Sequence, residues 1–307
     1  MTAKHASSVE SMLLDDSYDG EIFPNEPLAK HTSYAIGGPA RLFVQAHSIG
    51  ALTSLKDACA DAGMPFAVIG RGSNLLVSDD GFDGVVAVLG RDFRNHRVDK
   101  EKPSIVAGAG ESLSAVVQEA LRNSFSGMEF AVGTPGTVGG ALRMNAGSAD
   151  DWIGSRVGSV TLLDREGRLV RRQGAEIAWG YRRTSFDPEE VLLECELILE
   201  HGDPFLIQGK MEGSLNRRKR TQPLGQACCG SVFRNPEGAS AAKLIDDLGL
   251  KGTRIGGACI SEKHANFIVN EGGAKATDVL RLMELAKEKV EEAYGIELKP
   301  EVRFLGF

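Results

Sequence analysis

A chain of 307 residues, 42% hydrophobic and 25% charged, has apolar material for the cores of about two domains. Its net charge of −7 argues against nucleic acid or an anionic membrane as the main partner. Its five cysteines form no CxxC pair, and their odd number fits reduced thiols and a cytoplasmic location rather than a disulfide framework.

Residues 1–24 are expected to be a flexible tail. They are polar and acidic, and their longest apolar run, Met12–Leu14, is too short for a signal peptide. No later stretch approaches a membrane span. Alternation predicts a strand over Ala40–Ala46. A helix over Ser48–Gly63 follows, with Leu52, Leu55, Ala58 and Cys59 on one face and Gly63 as its stop. Phe66–Ile69, Leu75–Ser78, Gly84–Leu89 and Ser104–Ala107 read as strands, and Glu111–Asn123 as a helix. Asp164–Gly167 is the turn of a hairpin between Ser159–Leu163 and Arg168–Arg172, and Val191–Leu199 is a long apolar strand. Beyond His201 the texture changes. Helices are expected over Pro204–Arg220, Ala239–Leu248 and Thr277–Tyr294, with a strand at Asn266–Val269. A short strand, Glu301–Phe307, with Phe304 buried, ends this second α+β part.

Two glycine-rich stretches stand out. In Gly133–Gly147, GTPGTVGGALRMNAG, the glycines let the backbone take positive φ and a ligand approach closely. A helix beginning at Thr137 would aim free N–H groups at an anion. No Lys follows at P-loop spacing, so this is not a nucleoside-triphosphate loop. Gly70-Arg71-Gly72-Ser73-Asn74 joins two strands and lacks the third glycine and the helix of a Rossmann turn. It reads instead as a nest of backbone N–H groups able to hold phosphate oxygens. Taken alone, each stretch is equally readable as a turn without a ligand.

Three polar positions lie in unusual settings: Arg182 and Arg183 in Gly180–Phe186, Ser231 after Gly230, and Glu301 in Lys299–Arg303. No GxSxG elbow supports hydrolase chemistry, and no His, Cys or Asp cluster has metal-ligand spacing.

From about Asn25 to Phe307 the chain closely resembles the UDP-N-acetylenolpyruvoylglucosamine reductase family of flavoenzymes. The resemblance rests on ordered motifs: Pro27-Leu28 with His31-Thr32 and Gly37-Gly38-Pro39-Ala40; Gly70-x-Gly72-Ser73-Asn74-Leu75-Leu76-Val77; and Pro135-Gly136-Thr137-Val138-Gly139-Gly140-Ala141 with Met144-Asn145-Ala146-Gly147. It continues through Tyr181-Arg182, Gly230-Ser231-Val232-Phe233, His264–Asn270 and Pro300-Glu301-Val302-Arg303-Phe304. The short interval between Arg182 and Ser231 resembles the subtype lacking the extra substrate-covering loop. Thr184 stands for the usual Ser, Arg234 for a common Lys, and Ser148-Ala149-Asp150 for a frequent Ala-Tyr-Gly.

The resemblance implies an α+β fold. A two-lobed FAD-binding domain of the vanillyl-alcohol-oxidase (PCMH) type is expected over 25–202, a smaller α+β substrate domain over 203–299, and a C-terminal strand carrying Glu301 over 300–307. It implies non-covalent FAD, held by Arg71, Gly72, Ser73, Asn74, Leu75, Thr134, Pro135, Gly136, Gly139, Gly140, Asn145 and Gly147, with the pyrophosphate between the two glycine turns. NADPH is the implied electron donor and a UDP-linked enolpyruvyl amino sugar the substrate, contacted by Tyr181, Arg217, Arg218, Asn235 and His264. Arg182 and Glu301 are implied to stabilise charge at the substrate's C2 after hydride reaches C3, and Ser231 to protonate C2. No metal is implied, and a monomer is expected. Two other readings stay open: an FAD-dependent alcohol or sugar oxidase, and a nucleotide-binding module without turnover. The run Arg217–Arg220 is equally a solvated helix end.

Overall fold

A computed structural model describes residue 9 and residues 18–148 and 151–307. The expected tail up to residue 17, Val9 apart, lies outside the described residues, as do Ala149 and Asp150 of the departing tripeptide. In chain order the main elements are β1 (Gly20–Pro27), β2 (Pro39–Ala46), α1 (Ile49–Asp61), β3 (Phe66–Val68), β4 (Leu75–Val77), β5 (Phe82–Leu89), β6 (His96–Asp99) and β7 (Ser104–Gly108). They continue with α2 (Leu113–Arg122), α3 (Val138–Arg143), β8 (Val157–Leu163), β9 (Leu169–Gln173), β10 (Val191–Ile198), α4 (Pro204–Thr221) and α5 (Ala241–Asp247). Last come β11 (Arg254–Ile255), β12 (Ala258–Ile260), β13 (Ile268–Asn270), α6 (Ala276–Tyr294) and β14 (Arg303–Leu305). The chain divides into two compact units, each discontinuous in sequence. One comprises the described part of Met1–Asn25 with Arg41–Gly70 and Gly84–Asn216; the other comprises Glu26–Ala40, Arg71–Asp83 and Arg217–Phe307.

The first unit holds two sheets, each with its own core. The four-stranded sheet runs β1-β2-β5-β3. Helix α1 starts at a Ser48 cap, whose Oγ accepts the Ala51 N–H at 3.3 Å. Its Leu55 and Cys59 pack with Leu42, Val44, Val85 and Ala87 of the sheet. β1 corrects the expected tail, because residues 20–24 are strand. Its mixed polar sequence hides an edge position, where one neighbour suffices and alternate residues stay exposed.

The five-stranded antiparallel sheet runs β9-β8-β10-β7-β6. The expected hairpin is present, with Leu169 opposite Leu163 and the Asp164 carboxylate accepting the Arg168 N–H at 2.8 Å. Helices α2 and α3 bury Leu113, Val116, Val138 and Leu142 in a core shared with Ile105, Leu162 and Leu197. That packing fixes the glycine stretch around α3 to a rigid support.

The second unit is built around α6. Asp79, just after β4, caps this helix: its carboxylate accepts the N–H groups of Ala276 at 2.7 Å and Thr277 at 3.1 Å. Gly295, at φ +67°, ends it in the left-handed conformation. Its buried face, Val279, Leu282, Ala286 and Val290, packs in a core with Tyr34, Leu76, Val232, Phe233 and Ile268. β11-β12-β13 form a small antiparallel sheet, and β14 pairs in parallel with β4, Arg303 opposite Leu75. Phe304 is 41% exposed, against the expectation of burial. The pair β4-β14 is an isolated two-stranded ribbon, so one face of β14 stays open, and Phe304 meets Phe307 edge-on at 5.6 Å. Among the described residues, no helix is long and apolar enough to cross a membrane.

Candidate active site

In the first unit the glycine stretch behaves differently from expectation at the helix start. Thr137 caps α3, its Oγ1 accepting the Gly140 N–H at 3.2 Å. The N–H groups of Val138 and Gly139, expected to point at a ligand, are bonded to the carbonyls of Glu111 at 2.9 Å and Ala109 at 2.8 Å. The glycines serve close approach instead. A Cβ on Gly139 would lie 3.0 Å from Ala109, and a Cβ on Gly70 would lie 2.6 Å from Thr137 Oγ1. Gly133 and Gly136 take positive φ, +69° and +125°, around Thr134 and Pro135.

The same stretch supports Arg182. Residues Trp179–Gly180 and Arg183–Thr184 pair as a minimal hairpin, so Tyr181 and Arg182 are its two tip residues. Arg182 has φ +55°, a left-handed conformation that costs a residue with a side chain roughly 1–2 kcal/mol. Two contacts hold the hairpin, and Arg143 pins the chain just beyond it. Asn145, only 5% exposed, donates from Nδ2 to the Gly180 carbonyl and accepts the Gly154 N–H at Oδ1, both at 3.0 Å. Arg182 Nη1 donates to the Gly147 carbonyl at 2.9 Å. Arg143, at the end of α3, donates to the carbonyls of Asp187 and Glu190 and stacks on Phe186. Asn145 and Gly147 thus touch the Arg182 hairpin, and Tyr181, 49% exposed, lies under the Arg182 guanidinium at 5.5 Å. Thr184 keeps a hydroxyl contact to the Arg143 carbonyl, at 3.4 Å.

The turn Arg71–Leu75 lies in the second unit. Gly72 has φ +59°, and a Cβ there would lie 2.2 Å from the His31 carbonyl oxygen. Among the described residues, the N–H groups of Arg71, Gly72 and Asn74 reach no backbone carbonyl, as a phosphate-holding nest requires. The residues present therefore fit a dinucleotide phosphate at this turn better than at the start of α3. Asn74 also faces the protein: its Nδ2 donates to the Glu301 carbonyl at 3.1 Å, and its own carbonyl accepts the Arg303 N–H at 3.0 Å.

Glu301 and Ser231 are brought together on one ladder. The Glu301 N–H donates to the Val232 carbonyl at 2.8 Å, and the Val232 N–H donates to the Asn266 carbonyl at 2.9 Å. Ser231 pairs with Phe267 on one side, and Phe233 with Pro300 on the other. His264 lies beside this ladder, its ring on Phe267 at 4.6 Å and its Nδ1 accepting the Asn266 N–H at 3.3 Å. That bond places the imidazole proton on Nε2. Burial, and then the Lys251 charge, hold the His264 pKa below its ordinary value and keep the ring neutral.

The remaining expected residues are placed locally. Asn235 is exposed and its Oδ1 accepts the Ala241 N–H at 3.0 Å, a cap on α5. Arg217 and Arg218 lie in the last turns of α4, the first exposed and the second half-buried. Arg234 and Arg303 went unassigned in the sequence. Burial and the neighbouring charge of Arg234 both lower the Arg303 pKa, and Arg234 Nε is buried without a hydrogen-bond partner among the described residues. Two adjacent guanidinium groups at the Ser231–Glu301 ladder suit an anion. The basic residues next to Phe233 and Val302 are the signal that could have found them.

The chain is similar to several known proteins. Residues 222–305 match the family described as UDP-N-acetylenolpyruvoylglucosamine reductase, C-terminal domain, and residues 40–172 match the FAD binding domain family. The UDP-N-acetylenolpyruvoylglucosamine reductase of Heliobacterium modesticaldum is 42% identical over 291 residues, 94% of this chain and 92% of that protein. That of Clostridium novyi is 39% identical over 95% of both chains. The crystal structure of UDP-N-acetylenolpyruvylglucosamine reductase from Thermus caldophilus superposes with a TM-score of 0.80 at 34% identity, over 93% of this chain and 98% of that one.

Proposed function

We propose, because the chain belongs to the UDP-N-acetylenolpyruvoylglucosamine reductase family, that it reduces UDP-N-acetylenolpyruvoylglucosamine to UDP-N-acetylmuramate with NADPH as donor and FAD as resident cofactor. The observation that carries the reading is the single ladder holding Ser231 and Glu301, tied through Asn74 to the phosphate-type turn. Neither oxidase chemistry nor a module without turnover gives a reason for that linkage, and the relatives matching most of the chain are reductases by name. We assign FAD binding to residues 25–202, substrate binding to 203–299 and the Glu301-bearing strand to 300–307, in a cytoplasmic monomer.

Bound FAD, reduced by NADPH, supplies a hydride. The chain's own residues handle the charge and the proton. Hydride arriving at C3 of the enolpyruvyl group leaves negative charge at C2 and its carboxylate. Arg182 offsets that charge with a guanidinium already fixed by the hairpin tip, so little reorganisation is needed as the charge forms. Ser231 Oγ gives its proton to C2. Glu301 assists only if it is protonated or donates through its neighbours, since a bare carboxylate would repel the developing charge. Arg71, Gly72, Ser73, Asn74 and Leu75 hold the cofactor phosphates, with Thr134, Pro135, Gly136, Gly139 and Gly140 admitting the cofactor closely. Tyr181, Asn235 and His264 contact the substrate. The neutral His264 donates from Nε2.

Purified protein is expected to be yellow and to release free FAD on denaturation. A colourless protein that cannot be reconstituted with FAD rejects the reading. Arg217 and Arg218 bear on the diphosphate. Replacing both with Ala should raise KM for the substrate while leaving NADPH-driven flavin reduction unchanged, because a contact made equally in ground and transition states appears in KM. An unchanged KM returns the run to a helix end complementing its dipole.

A further inference from the structure

We propose that Asn266, a member of the His264–Asn270 motif with no role in the reaction as described, is a positioning residue that sets Ser231 for protonation; the inference rests on the reductase reading above. The argument begins with the ladder. The Arg234 N–H donates to the Lys299 carbonyl at 2.9 Å and the Glu301 N–H to the Val232 carbonyl at 2.8 Å, so Phe233 and Pro300 face each other as a pair without mutual hydrogen bonds. Pro300, with no N–H to give, costs the ladder nothing there. The N–H and C=O of Phe233 consequently point to the opposite side, where a third strand would normally receive them.

The main chain on that side turns away. Residues His264–Phe267 form a turn, with the Phe267 N–H bonded to the His264 carbonyl at 2.9 Å, and the Asn266 carbonyl is already taken by Val232. The Asn266 side chain fills the place of the missing peptide group. Its Oδ1 accepts the Phe233 N–H at 3.0 Å and its Nδ2 donates to the Phe233 carbonyl at 2.8 Å. Asn266 is 3% exposed, so no water substitutes.

Upstream, Cys229 is buried in the core with Tyr34, and Gly230 separates it from Ser231. Ala227 pairs with Asn270 and Ser231 with Phe267, and the residues between them include Gly230 at φ +82°, with nothing within 4 Å of where its Cβ would stand. On the downstream side the position of Ser231 is set through Val232 and Phe233, and there the Asn266 amide is the clamp. A side chain that fixes a reacting hydroxyl through its neighbours contributes through geometry, and a displacement of about 1 Å costs on the order of 10²-fold in rate.

The test separates the two half-reactions by stopped flow in the FAD-loaded protein. The wild type is measured first: failure of UDP-N-acetylenolpyruvoylglucosamine to reoxidise its NADPH-reduced flavin rejects the reductase reading itself. In Asn266→Ala, reduction by NADPH should keep its rate while reoxidation by substrate slows on the order of 10²-fold. Asn266→Asp supplies a second arm. Protonated, the acid donates to the Phe233 carbonyl and accepts its N–H as the amide does; ionised, it repels that carbonyl. Reoxidation in this variant should approach the wild-type rate at low pH and fall as pH rises, beyond any change in the wild type. Reoxidation at the wild-type rate in the Ala variant, equal slowing of both half-reactions, or a wild-type pH profile in the Asp variant overturns the proposal. If the Ala variant does not fold, the Asp profile alone decides.

Discussion

Ser231→Ala is expected to leave NADPH reduction of the flavin near its normal rate and to slow reoxidation by the enolpyruvyl substrate about 10²–10⁴-fold. The hydroxyl has no duty in the first half-reaction and is the proposed proton source in the second. A hydroxyl is a weak acid in water, but a carbanion-like C2 is a strong base, and the short ladder around Val232 holds the donor in place. Ser231→Cys should recover part of the rate, because a thiol of ordinary pKa near 8.5 gives up its proton more readily. Solvent deuterium should then enter C2 more slowly in the Ala variant than in the wild type. If Ser231 only shaped the turn after Gly230, the Ala variant would lose about 1 kcal/mol of stability and keep both half-reactions. Equal slowing of both steps, or of neither, would falsify the donor role.

Arg182→Asn is expected to slow the same reoxidation step on the order of 10²–10³-fold, the usual worth of a preorganised charge-stabilising group, without lowering the melting temperature. The second half of that expectation comes from the backbone. Arg182 stands at φ +55° on a hairpin tip, a conformation that Asn tolerates better than Arg. Relief of that strain offsets loss of the 2.9 Å bond to Gly147. Arg182→Lys retains charge but neither the planar fork nor the fixed direction, so it should recover only part of the rate. A variant that loses activity and stability together would identify Arg182 as a structural tie instead.

Much of the fold was legible because periodicity reports burial. The marked face of α1 (Leu52, Leu55, Ala58 and Cys59) is buried, and β10 buries its apolar residues except Ile198. The β8–β9 hairpin was legible instead from its turn residues, since β9 buries none of its side chains. The failures share a cause as well. β1 and β14 are edge or two-stranded elements, and what exposes Phe304 is the absence of a further neighbour, which local pattern does not encode. The helix at Thr137 was correctly placed, yet the partners of its N–H groups, Glu111 and Ala109, are set by tertiary packing. The Arg182 hairpin has arms of two residues, too short for alternation to register. Asn266 reads in sequence as the start of a strand, and Asn74 and Asn145 as cofactor contacts; in the fold, each amide completes a backbone network that only distant segments define.

The parallel pairing of β4 with β14 has a consequence for biosynthesis. The turn at residues 71–74 is among the earlier segments to leave the ribosome, but its strand meets its partner only when Arg303–Leu305 have emerged. Asp79 likewise waits for Ala276 and Thr277. Such contacts between distant segments form late, since the loop-closure entropy must be overcome first. Residues of the first unit can meanwhile fold on the nascent chain, where β6 to β10 pair among themselves. A stalled or interrupted chain would carry that sheet complete while its phosphate turn stayed unformed. If that turn holds the cofactor phosphates as proposed, capture of FAD waits until Arg303–Leu305 have emerged.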